Sequence, residues 1–76
     1  MSRLGEKAIA CLNMAALPAT DDTRKTLYRE ACARWSAKAV HLKPEELADR
    51  GYLDYGVSAR TAWLTDKGRA ALGVMP

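Results

Sequence analysis

The chain has 76 residues, 49% hydrophobic and 28% charged, and its 12 Lys+Arg against 9 Asp+Glu leave a net charge of +3. That length suits one domain, residues 1–76, with a small core and little chain left for an enzyme with its own deep cleft. Two cysteines exclude a disulfide-rich scaffold or a four-thiolate zinc site, and stretches such as Ala8–Cys11 and Met14–Leu17 are too short to span a membrane.

The first predicted element runs from about Leu4 to Leu17. Leu4, Ala8, Cys11, Leu12 and Ala15 recur at helical spacing, and Pro18 stops the helix by pushing its predecessor out of helical geometry. Thr20-Asp21-Asp22 caps a second helix reaching about Ala37, with an apolar stripe of Leu27, Tyr28, Ala31, Cys32 and Trp35. Pro44 fits the first turn of a short third helix, Pro44 to about Arg50, which Gly51 closes. The period then changes. Tyr52–Tyr55 and Arg60–Leu64 read as two strands joined through Gly56–Ala59. Alternation turns Leu53 inward opposite Ala62 and Leu64, and turns Tyr52 and Trp63 outward. Thr65-Asp66 caps a last short helix, Lys67–Leu72, which ends at Gly73. The expected fold is mainly α with a small β-hairpin, in the order helix, helix, helix, hairpin, short helix. A lone hairpin is marginal in water, so it must pack on the helices.

Two phrases in the second half stand out: Leu47-Ala48-Asp49-Arg50-Gly51-Tyr52-Leu53, and Ala62-Trp63-Leu64-Thr65-Asp66-Lys67-Gly68-Arg69-Ala70-Ala71-Leu72. Over residues 47–72 the chain resembles the winged-helix domain of small bacterial or phage DNA-binding regulators. The resemblance implies a wing hairpin after a recognition helix, with Pro44–Arg50 in the recognition position. It further implies double-stranded DNA as partner and a transcriptional regulator that dimerises to gain contact surface.

Charge is divided unevenly. Residues 1–43 hold eight Lys/Arg and four Asp/Glu, a balance of +4; residues 44–76 hold four and five, a balance of −1. Candidate phosphate contacts are therefore Lys25, Arg29, Arg34, Lys38 and Lys43 in the first part, with Arg60 on the wing. The same side chains also suit solvated flanks of the apolar stripe. If Tyr52 and Trp63 face outward, they form with Arg60 an aromatic-cationic patch for a protein partner. Packing of Trp63 over the first helix is the favoured alternative.

No catalytic constellation is visible. Cys11 and Cys32 fall on predicted core faces, where two antiparallel helices could join them in a disulfide but a cytoplasmic context favours buried free thiols; Ser36 and Ser58 sit in no nucleophile motif, and His41 has no partners for a metal site. No cofactor or metal is expected. No signal-peptide core follows Arg3, Glu6 and Lys7, so the expected location is cytoplasmic. The leading expectation is a non-enzymatic DNA-binding regulator. The competing one is a phage-type interaction module or inhibitor, such as an anti-CRISPR protein, that binds a host nucleic-acid-handling complex.

Overall fold

The computed structural model describes residues 4–57 and 61–73. Among them, four helices and one antiparallel hairpin follow in the order α1 (Glu6–Ala15), α2 (Asp22–Arg34), α3 (Ala37–Asp49), β1 (Leu53–Asp54), β2 (Trp63–Leu64) and α4 (Asp66–Leu72). The architecture is mainly helical, with the hairpin and α4 closing over the three longer helices.

The first helix buries Ala8, Cys11, Leu12 and Ala15 as its spacing predicts, and adds Met14. It stops at Ala15, short of Leu17, with Ala16 as its C-cap. The second helix starts where its acids place it: the Asp21 carboxylate accepts a hydrogen bond from the Thr23 N–H at 2.7 Å. Ala31 is buried on its inner stripe, and Leu27, Tyr28, Cys32 and Trp35 pack half-buried against the same core.

The boundary after α2 differs from expectation. The helix ends at Arg34 with Trp35 as C-cap, and Ser36 opens α3. Ser36 sits at φ 119°, ψ 153°, a conformation that L side chains rarely adopt. Its hydroxyl accepts from the Ala39 N–H at 3.2 Å, so the strained residue is also a cap. From there α3 runs straight through Pro44, which lies inside the helix and not in its first turn. The missing N–H leaves the Val40 carbonyl without its helical donor, at a cost of about 3 kcal/mol. Burial offsets it. Val40 (2% exposed) and Leu47 (0%) stand two turns apart on the inner face, and each stabilises the fold by ~1.5–3 kcal/mol. The short helix expected from Pro44 to Arg50 is thus the second half of a 13-residue one.

Ser36→Gly is expected to stabilise the protein by about 1 kcal/mol. Relief of ~1–3 kcal/mol of backbone strain exceeds the few tenths lost when glycine replaces a serine cap and the ~0.5–1 kcal/mol of added chain entropy. Urea unfolding checks this, and a destabilised variant would mean that Ser36 is unstrained.

The end of α3 follows its sequence closely. Gly51 takes φ 89°, the Gly51 N–H donates to the Ala48 carbonyl at 3.0 Å, and the Tyr52 N–H to the Leu47 carbonyl at 2.9 Å. This pair of bonds terminates a helix through a left-handed glycine and aims the next residues into β1. The hairpin register pairs Leu53 with Leu64 and Asp54 with Trp63. Leu53, Ala62 and Leu64 are buried, as alternation predicts. Trp63 is 50% exposed, so the reading that packed it over the first helix is overturned. Its pairing with Asp54 puts it on the face opposite to buried Leu53 and Leu64.

Thr65 then caps α4, accepting from the Gly68 N–H at 3.1 Å while donating its hydroxyl proton to the Gly51 carbonyl. One threonine therefore joins the start of α4 to the end of α3.

Candidate functional site

The outer face of the hairpin is set by the register. Asp54 lies opposite Trp63, and just before β1 the Thr65 N–H donates to the Tyr52 carbonyl at 3.2 Å, with the Tyr52 side chain half-buried against the core. The Tyr52 ring has two cations over it. The Arg50 guanidinium carbon lies 5.5 Å from the ring centroid and Lys67 Nζ 4.5 Å from it. Lys67 is fixed in turn by donating to the Arg50 carbonyl at 2.7 Å. The α3 terminus and α4 thus supply a cationic frame for an aromatic residue, while half-exposed Trp63 lies opposite Asp54 on the outer face of the hairpin. Sequence reading found Tyr52 and Trp63 but not Arg50 or Lys67, because only the turn at Gly51 and the docking of α4 bring those cations to the ring. Arg60, the third residue expected in this patch, lies outside the described residues.

The side chains expected to meet phosphates are not gathered. Lys25 and Arg29 stand on one side of α2 beside a cleft. Arg34 points away from that cleft. It pairs with Glu6 and lies 4.6 Å over the Trp35 ring. Lys43 is largely covered, its side chain 21% exposed, and pairs with Glu46 at 3.1 Å. Lys38 is exposed in the first turn of α3. The exposed side of that helix continues through Leu42, Glu45 and Asp49, three and four residues apart. One cation, one leucine and two acids make a poor match to a polyanion and a better one to a protein surface.

A residue that sequence reading missed holds the two halves together. Arg24 is buried (9% exposed), donating to the Leu17 carbonyl at 2.8 Å and to the Ala62 carbonyl at 3.0 Å. Desolvation lowers its pKa from the ordinary arginine value. The signal was present: Arg24, Tyr28 and Ala31 stand at i, i+4 and i+7, so Arg24 extends the core stripe itself.

The cleft lies between α1, α2, α3 and the hairpin, and its volume is about 530 Å³. Tyr28 and His41 meet across it from α2 and α3, the phenol hydrogen-bonded to His41 Nε2 and the rings stacked with centroids 5.7 Å apart. Cys11 forms part of the floor, where burial pushes its thiol up to about 11. It is therefore a neutral thiol at physiological pH, the opposite of an activated nucleophile. Cys11 and Cys32 are both free. Among the described residues, no three His, Cys, Asp or Glu side chains gather to hold a metal ion, and no helix is long and apolar enough to cross a membrane.

No family model matches the chain, and neither a curated protein nor a solved structure does.

Proposed function

We propose that the chain is a non-enzymatic interaction module on a winged-helix-like scaffold, binding a protein partner through the outer face of its hairpin. Half-exposed Trp63 on the outer face of the hairpin carries this reading, with half-buried Tyr52 holding Arg50 and Lys67 over its ring at the start of β1. A large exposed aromatic on a hairpin packed against helices is the kind of anchor that dominates protein interfaces, where Trp, Tyr and Arg are enriched. The framing cations Arg50 and Lys67 suit a partner surface that presents acidic groups around an apolar pocket. The order of three helices, hairpin and short helix agrees with the winged-helix scaffold. Scattering of the basic side chains weighs against DNA as the main partner.

DNA binding is the second reading, favoured by the length of α3. Because that helix starts at Ala37, the element in the recognition position carries Lys38 near its N-terminus, where groove-reading helices place their base contacts. Co-purification and DNA titration separate the two. For a partner protein captured by the intact chain, Trp63→Ala is expected to weaken binding about 30-fold, some 2 kcal/mol, with thermal unfolding unchanged. Duplex DNA is expected to bind only at the ~10⁻⁴–10⁻⁶ M non-specific level. The proposal fails if Trp63→Ala leaves capture intact while DNA binds tightly, with a steep salt dependence that Arg29→Ala and Lys38→Ala reduce.

A further inference from the structure

The cleft between the helices and the hairpin has features that the hairpin patch does not use. Its volume, about 530 Å³, lies inside the ~300–1,000 Å³ range of small-molecule sites. The floor is apolar: Met14, Val40, Leu53 and Ala62 reach it as buried core side chains. The stacked Tyr28 and His41 rings add aromatic surface above that floor. The charged lining is of one sign. Arg24, Lys25 and Arg29 line the cleft from α2, and among the described residues no Asp or Glu does. Lys25 is shared with exposed Asp22 at 3.8 Å, whereas Arg29 makes no ion pair among the described residues.

An apolar floor, an aromatic pair and a cationic edge select different parts of one molecule. We infer that the cleft binds a small aromatic organic anion, its ring system on the floor beside Tyr28 and His41 and its carboxylate toward Arg29 and Lys25. A wholly apolar ligand leaves the cationic edge unused. A compact inorganic anion leaves the floor wet. The site does not depend on the hairpin patch, and the two readings stand or fall separately.

Naphthaleneacetate and naphthalenemethanol, which differ in the carboxylate, test the inference by amide proton–nitrogen chemical shifts on the full chain. Both probes are expected to shift amides of Tyr28, Val40, His41 and Leu53, and to leave Trp63 unmoved. The anion is expected to bind about fivefold tighter than the alcohol at low salt, as one or two partly exposed charges supply. In Arg29→Gln that preference is expected to fall to about twofold or less, with the alcohol's affinity unchanged. Arg29 is exposed, so its replacement leaves the fold in place, and the alcohol reports on the cleft independently. Equal affinity for both probes in the intact chain overturns the inference. So does a preference that survives Arg29→Gln and Lys25→Gln together. Shifts that spread over the hairpin face, or no cleft shifts at millimolar probe, overturn it as well, the last leaving the cleft to a partner's side chain.

Discussion

Gly68→Ala is expected to destabilise the protein by about 3 kcal/mol, although alanine is the better helix former by ~1 kcal/mol. A Cβ at this position would stand 2.1 Å from the Tyr52 carbonyl oxygen, 3.2 Å from its carbon and 3.1 Å from Leu64 Cδ2. The leucine methyl can turn aside. The Tyr52 carbonyl cannot, because it accepts from the Thr65 N–H at 3.2 Å while its own residue's N–H is bonded to Leu47 at 2.9 Å. Relief requires α4 to move off the hairpin. Overpacking of this kind costs ~1–3 kcal/mol, and more where backbone must shift. For a domain of this size the midpoint of thermal unfolding is expected to fall by about 12–24 °C. Lys67 lies on α4, so the displacement also opens the cationic frame around Tyr52. A variant as stable as the parent would show that α4 does not dock on the Tyr52 carbonyl.

Arg24→Met is the second large effect, an expected loss of about 2–4 kcal/mol. Methionine replaces much of the aliphatic stem, so the change isolates the guanidinium. That group bridges the Leu17 carbonyl, in the connection after α1, and the Ala62 carbonyl, next to β2 and 38 residues away in sequence. Hydrogen bonds to a charged donor contribute ~1.5–3 kcal/mol, and carbonyls left buried without a donor add a desolvation penalty. Arg24→Lys is expected to recover only part of the loss, since a single ammonium lacks the planar fork that spans two acceptors. Urea unfolding of the two variants gives the ordering. If methionine were neutral, the bridge would contribute nothing to stability. The hairpin amides, tied to the helices partly through Ala62, are expected to exchange faster in the methionine variant.

Much of the fold was legible because its signals are local. Asp21 needs only its own helix to act as a cap, and Thr65 caps α4 by reaching three residues ahead. Gly51 terminates α3 through bonds within five residues. Leu53 and Leu64 face inward because the strand period is two and the hairpin has one covered side. The break at Ser36 was not legible. No glycine or proline marks it, and the residues before and after it are ordinary helix formers. Pro44 misled for the opposite reason. It is a strong local breaker, and only the burial of Val40 and Leu47 in the same helix outweighs it.

The candidate surfaces divide in the same way. Trp63 was legible as an outward position, since alternation from buried Leu64 sets its face, whereas Tyr52, expected outward as well, packs half-buried against the core. That Arg50 and Lys67 frame Tyr52 depends on the docking of two helices. Composition placed +4 in residues 1–43, yet it carried no information on convergence. Three-dimensional placement sends Arg34 to Glu6, Lys43 to Glu46, and Lys25 and Arg29 to the cleft.

By itself the sequence determined where most helices begin, which way the hairpin faces and which side chains are available to bind, because caps, turns and period-two alternation act over a few residues. Only the tertiary structure decided that Pro44 stays inside a helix, that Arg24 is a buried bridge and that the basic residues disperse. Those outcomes rest on burial and on contacts between residues distant in the chain, whose energies exceed the local preferences they override.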